Sequence, residues 1–195
     1  MSRGTKGGGG HSQLRIIGGQ WRGRKLKFTP VEGLRPTADR VRETLFNWLN
    51  TNVHSANCLD LFAGSGALGL EALSRGASHC DFVDSAPVVI RQLQSQLQLL
   101  NAQDRGKCHA ESALSFLREG AGTWDIVFVD PPFGQGLVDP ACQLIANARI
   151  LSANAMVYVE TATQEVMPAL PDNWELHREK QAGGVCFRLF VVHSE

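Results

Sequence analysis

Asp60–Ala77 reads DLFAGSGALGLEALSRGA: a short apolar run, a turn through Gly64, Ser65 and Gly66, and then a helical stretch. Glycines at that turn let the backbone approach a ligand closely, and the first turn of a helix offers unpaired N–H groups. With Gly69 the stretch spells GxGxxG, the dinucleotide-binding pattern, which is weak when taken alone. Two acids argue for a different ligand. Asp60 stands four residues before Gly64, where a carboxylate suits a cation better than a pyrophosphate. Asp84 follows Gly69 by 15 residues, against about 20 in the dinucleotide pattern. A P-loop is excluded, because no GK[ST] follows the glycines.

S-adenosyl-L-methionine fits these features, since it carries a sulfonium, an ammonium, a ribose and an adenine but no phosphate. The expected cofactor residues are Asp60, Phe62, Ala63, Gly64 and Gly66 from the loop, with Asp84 and Ser85 after the next strand. The competing reading is a tight strand-to-helix turn with Asp60 as a solvated strand-end acid. Glu71 either faces the site from the first helical turns or is a surface residue.

Outward from the loop, strand-like and helical segments alternate. Asn57–Phe62, Cys80–Val83, Lys107–Ala110, Trp124–Asp130 and Ala155–Glu160 read as strands. Ala67–Arg75, Pro87–Asn101, the segment through Leu114 and Leu117, and Asp139–Ala148 read as helices. That alternation predicts an α/β fold with a mostly parallel sheet covered on both faces. Trp174–Gln181 and Val185–Val192 flank Gly183-Gly184, which predicts a closing antiparallel hairpin.

Asp130-Pro131-Pro132-Phe133 ends the strand Trp124–Val129, at the sheet edge where ligands of α/β folds bind. The prolines remove backbone donors and fix φ, leaving Asp130 and nearby carbonyls as a stiff array of acceptors. Phe133 adds an aromatic plate. Such a turn suits an exocyclic amine on a nucleobase: both amine protons are accepted, the lone pair is localised, and the base stacks. Asp130, Pro131, Pro132 and Phe133 are therefore the expected catalytic residues, and the alternative is a plain strand-ending turn with a solvated Asp130.

The chain has 195 residues, 43% of them apolar, which suits one domain or a domain with an appendage and excludes wholesale disorder. No apolar run approaches the roughly 20 residues of a membrane span, and the polar, Gly-rich start is unlike a secretory leader. Five scattered cysteines offer no zinc spacing, so reduced, buried thiols in a cytoplasmic protein are expected and no metal is assigned.

A net charge of zero hides a division. Residues 1–50 carry ten Lys/Arg against three Asp/Glu, and residues 51–195 carry nine against sixteen. The expected organisation is a disordered tail over 1–13, a basic hairpin and helix over 14–50, and the α/β body over 51–195. Thr37 is the expected N-cap of a helix whose stripe is Val41, Leu45, Trp48 and Leu49. Arg15, Arg22, Arg24, Lys25, Arg35 and Arg40 are the expected RNA-binding residues, with Arg42 available near the same polar side. Trp21 either stacks on a base or packs the hairpin onto the body. His177, Arg178 and Lys180 either border the site or lie on a solvated strand face.

Taken together, RIIGGQWRGRKL, LRPTADRVRETLFNWL, DLFAGSGALGLEALSRGA and VFVDPPF resemble the bacterial 16S ribosomal RNA (guanine(966)-N2)-methyltransferase family, over Gln13 to Phe190. The resemblance implies a Rossmann-like class I methyltransferase sheet of seven strands with a small N-terminal extension. It implies S-adenosyl-L-methionine as cofactor and a guanine N2 in 16S ribosomal RNA as target, within the small subunit or an assembly intermediate. A monomer is expected. Near the adenine the family carries a polar residue, for which this chain offers Glu111 or Ser112; Ser112 is taken as the candidate. The alternatives are a DNA amino-methyltransferase, a protein-glutamine methyltransferase, and a non-catalytic RNA-binding or assembly factor on the same fold.

Overall fold

A computed structural model describes residues 12–28, 38–120 and 122–193. The chain opens with a hairpin of β1 (Ser12–Arg15) and β2 (Lys25–Phe28), joined through a 3-10 turn at Gly19–Trp21. β1 thus includes Ser12 and Gln13, which correct the boundary of the expected tail: Leu14 pairs with Leu26 and carries its neighbours into the ladder. Helix α1 (Asp39–Trp48) is capped at Ala38 without a side-chain hydrogen bond. Thr37 and Arg35 lie outside the described residues. On α1 the buried stripe is Val41, Leu45, Phe46 and Leu49, while Trp48 is half-buried against Phe187.

Five parallel strands follow, with helices between them: β3 (Asn57–Asp60), α2 (Ala67–Ser74), β4 (His79–Asp84), α3 (Pro87–Leu99), β5 (Gly106–Ala110), α4 (Ala113–Glu119), β6 (Trp124–Val129), α5 (Val138–Asn147) and β7 (Leu151–Ala162). β8 (Trp174–Ala182) and β9 (Val185–Val192) form the closing hairpin. β7 is longer than expected from Ala155–Glu160. It pairs with Trp124 through Leu151 across an irregularity, with Asn154 at φ +57°. Turn-like Ser152-Ala153-Asn154 conceals that extension in the sequence.

Strand order is β5-β4-β3-β6-β7-β9-β8, with β9 antiparallel to both neighbours. The order reverses between β3 and β6, so the carboxyl ends of those strands diverge around a crevice. Antiparallel β9 brings the Gly183-Gly184 turn to the same edge, since Val185 pairs with Ala162 at the end of β7.

Two apolar cores cover the sheet. Leu59, Val127, Val129, Val157 and Val159 pack with α4 and α5 on one face. Cys58, Phe82, Phe128 and Tyr158 pack with α2 and α3 on the other. Leu14, Ile16, Leu26 and Phe28 of the hairpin belong to that second core. The boundary expected near residue 50 therefore separates charge rather than cores. All five cysteines are free, four of them buried. Burial pushes the Cys108 thiol up to about 11 and that of Cys142 to about 12.

Candidate functional site

The loop between β3 and α2 is built by its glycines and two acids. Gly64 and Gly66 adopt φ of +50° and +77°, a region costly for side chains with a Cβ. A Cβ on Gly66 would come within 2.5 Å of Leu93, so the turn is closed against α3 as well as strained. Gly69 plays a different part: a Cβ there would meet Phe82 at 2.3 Å and Cys80 at 2.8 Å. It is the close-packing contact of helix on strand, and its N–H donates to Asp60 Oδ2 at 2.9 Å. Asp84 braces the loop from β4, accepting from Gly64 N at 3.0 Å on Oδ2 and from Ala86 N at 2.8 Å on Oδ1. A carboxylate has about four acceptor positions, so Asp84 keeps capacity for hydroxyl groups.

These residues open onto a cavity of about 800 Å³, within the usual size for small-molecule sites. Seven of the eight expected cofactor residues, Asp60, Phe62, Ala63, Gly64, Asp84, Ser85 and Ser112, line it, and the eighth, Gly66, lies in the loop behind it. Ser112 caps α4, accepting from Ser115 N at 3.2 Å, and sits on the wall with Ala113 and Leu114. Glu111 is not among the lining residues. The wall also carries all four residues of the Asp130-Pro131-Pro132-Phe133 turn. Phe133 is 47% exposed, an uncovered aromatic at the mouth.

The field inside is negative. Asp60, Asp84, Asp130 and Glu160 line the cavity, against Arg40 as the one cation among the described lining residues. Burial pushes the Asp60 carboxyl up to about 7; the Gly69 N–H opposes the rise, and the charges of Asp130 and Asp84 add to it. Glu160 is pushed to about 8, first by burial and then by Asp130. Such an excess of buried acceptors fits a sulfonium and an ammonium, whose charge would return these acids to their ionised forms. A pyrophosphate would meet the opposite of what it needs.

Two acids at this site, Glu165 and Glu160, were not singled out in the sequence. Glu165 ties the segment after the Asp130–Phe133 turn to β7, accepting from Gly134 N at 2.6 Å and Ala162 N at 2.9 Å. Glu160 stands at the end of β7 next to Asp130 and accepts the Tyr158 hydroxyl at 2.6 Å. Glu71 is neither in the site nor on the surface. It is fully buried, pairs with Arg75 at 2.7 Å and Arg42 at 3.4 Å, and accepts from Ile17 N at 2.9 Å. Glu160 and Glu71 lie in stretches that read as ordinary strand and helix, so only the sheet order and the docked hairpin give them partners.

The arm divides into a packed face and a free face. Arg42 corrects the expectation that it remains available: it is 0% exposed, donating to Asp39 at 2.6 Å and to the Arg15 carbonyl at 2.8 Å. Trp21 is buried, its backbone N–H donates to Ser74 Oγ at 3.0 Å, and the Arg105 guanidinium lies over its ring. It packs the hairpin onto the body. Arg15, Arg22, Arg24 and Lys25 are exposed on the outer side, and Arg40 reaches the cavity rim. Arg15 lies directly opposite Lys25 in the ladder, a like-charge pair. Arg15 also pairs with Asp39 at 3.1 Å, and the Arg24 guanidinium donates to the Leu99 carbonyl at 3.4 Å. His177, Arg178 and Lys180 lie on the solvated outer face of β8, away from the cavity lining.

A sheet ordered β5-β4-β3-β6-β7-β9-β8, with β9 reversed and a cation-seeking cavity over its switch point, is the fold of the S-adenosylmethionine-dependent class I methyltransferases. Within that class the chain belongs to the family described as Conserved hypothetical protein 95, whose model matches residues 14–191. It is 49% identical to Ribosomal RNA small subunit methyltransferase D of Escherichia coli, over 95% of this chain and 93% of that protein. The protein of the same name from Haemophilus influenzae is 45% identical, over 91% of this chain and 93% of its own length. The solved structure of yhhF from Escherichia coli superposes with a TM-score of 0.87 at 47% identity, covering 94% of this chain and all of that one.

Proposed function

We propose that this chain methylates the exocyclic N2 of a guanine of the 966 type in 16S ribosomal RNA, using S-adenosyl-L-methionine. The observation that carries the reading is a single cavity holding both the acid-flanked glycine loop and the Asp130–Phe133 turn, with Phe133 uncovered at its mouth. The names of its relatives supply the small-subunit ribosomal RNA.

The cofactor, when bound, supplies an electrophilic methyl group. Asp60 and Asp84 hold its cationic and hydroxyl groups against the glycine loop. Asp130 and the carbonyls beside Pro131 accept the two protons of the guanine amine, which localises the nitrogen lone pair and aims it. Phe133 stacks on the flipped base, and the surplus proton leaves to Asp130 or to water. Exposed Arg15, Arg22, Arg24 and Lys25 bind RNA phosphates and set its position, with Arg40 at the rim and Arg35 in the adjoining segment. The chain works as a cytoplasmic monomer on the small subunit or an assembly intermediate; no helix among the described residues is long and apolar enough to cross a membrane.

The test is methylation of undermodified small subunits with labelled cofactor, followed by mass mapping of the product nucleotide. Label on one guanine N2 supports the reading. Label on adenine, on protein or nowhere overturns it.

A further inference from the structure

Along the sheet edge the cavity has two halves. β3, β4 and the segment after β5 contribute Asp60, Asp84 and Ser112, the cofactor side. The residue that follows β6 is Asp130, which also lines the cavity. β7, the next strand outward, contributes Glu160, and the β8–β9 turn closes that side with Ala182, Gly183 and Val185. Glu160 therefore lies beyond the catalytic turn from the cofactor loop, on the side left for the base. Val129 pairs with Val159, so Asp130 and Glu160 are the next residues outward on adjacent parallel strands.

We propose that Glu160 is a specificity-determining residue that accepts the N1–H of the target guanine while Asp130 holds the N2 amine. The assignment rests on the methyltransferase reading above and deepens it. Guanine presents two donors side by side, N1–H and the N2 amine. Adenine and cytosine place a bare ring nitrogen beside their amine, an acceptor that would face a carboxylate. Two adjacent carboxylates thus match guanine and repel the other amino bases.

The surroundings of Glu160 fit this role. The side chain is 4% exposed yet lines the cavity, so a hydrogen bond made there is shielded from water. Tyr158 is fully buried and donates its hydroxyl to Oε2, orienting the carboxylate as an acceptor. Burial and the charges of Glu160 and Asp130 push the Tyr158 phenol well above its usual range, so it remains a donor. Two acids at adjacent strand ends disfavour each other's charge, and packing alone does not call for a carboxylate at this position. An arriving donor–donor edge adds to the Tyr158 hydrogen bond in offsetting that repulsion.

The experiment uses small subunits reconstituted with ribosomal RNA carrying either guanine or 2-aminopurine at the methylated nucleotide. 2-Aminopurine keeps the amine but replaces N1–H with an acceptor. Wild-type enzyme is expected to favour guanine by roughly 100-fold in kcat/KM, because a site built for a donor rejects an analogue lacking it. Glu160→Gln, whose amide both donates and accepts, should shrink that ratio to about tenfold or less. S-adenosylhomocysteine affinity should stay within about twofold, which also reports that the variant is folded. Tyr158→Phe, which frees the carboxylate to turn, should shrink the ratio by a smaller factor and serves if the first variant does not fold. An unchanged ratio in a folded, cofactor-binding Glu160→Gln protein overturns the role of Glu160 and leaves the methyltransferase reading standing. Absence of guanine methylation by the wild-type enzyme overturns both.

Discussion

The glycine loop and the basic arm differ in how their residues relate to their partners. Gly64, Gly66, Asp84 and Asp130 act through local backbone: a turn, a strand end, a brace between neighbouring strands. The arm acts through surface, and its charge is split. Arg42 spends its charge inside the molecule on Asp39 and Glu71, whereas Arg22 and Lys25 keep theirs outside. A count of basic residues is thus an upper bound on what RNA can meet. The alternation of β2 does the sorting, with Leu26 and Phe28 buried and Lys25 and Lys27 exposed. Glu71 joins the two regions, because its helix starts at the glycine loop and its carboxylate receives the arm.

Removing the acceptor proposed for the target amine, Asp130, should separate the regions most sharply. Asp130→Ala is expected to lower turnover on the order of 10³-fold, the scale of losing one preorganised polar group at a reacting centre. RNA affinity, which the proposed function assigns to the arm, should hold. Turnover within tenfold of wild type in a single-turnover assay would sink the assigned role. Next comes the joint between the regions. Glu71→Ala removes the one fully buried carboxylate beside Arg42, together with the partner of Arg75 and of the Ile17 N–H, and should cost about 3–5 kcal/mol of stability in chemical denaturation. A loss below about 1 kcal/mol would mean that Asp39 and the Arg15 carbonyl suffice, and that the arm is docked by Leu14, Ile16 and Trp21 instead.

Reversing Arg22, Arg24 and Lys25 to Glu leaves the body intact and removes free-face charge. RNA affinity should fall roughly 10–100-fold, and the slope of log affinity against log salt should flatten by about two to three. Cofactor affinity should not move. If turnover fell with RNA affinity and salt slope unchanged, these side chains would belong to the site and not to the phosphate contacts.

The same contrast explains what was legible in the sequence. The alternation of strands and helices, the closing hairpin and both motifs follow local rules of period, glycine geometry and proline. The glycine loop and the Asp130–Phe133 turn that they single out line one cavity. Arg42 and Glu71 were opaque because each looks solvated on its own helix, and only the hairpin crossing α2 buries them. A Cβ at Gly19 would come within 1.8 Å of the Ser74 carbonyl, a measure of how closely that crossing is made. Glu160 was opaque for another reason: its meaning depends on β7 lying beside β6, which strand periodicity does not state.

The smallest expected effect concerns the body's field and follows from Asp60. Its carboxyl is raised from 3.8 to about 7, so the free folded protein favours the protonated acid. That contribution to stability is complete below about pH 4 and is lost as pH rises through 7, and Glu160, raised to about 8, extends the loss in the same direction. Thermal stability of the free protein should therefore decline between pH 6 and 8.5. Cofactor affinity should run the other way, since the cation is held by the ionised acid: about tenfold tighter at pH 8 than at pH 6. Binding at pH 7 should release protons, visible in calorimetry as a heat that depends on the buffer's ionisation enthalpy. Asp60→Asn keeps an acceptor for the Gly69 N–H and should flatten the affinity profile below pH 7.5. An unaltered slope in that variant would move the pH-sensing charge from the cofactor loop to Glu160 on the base side.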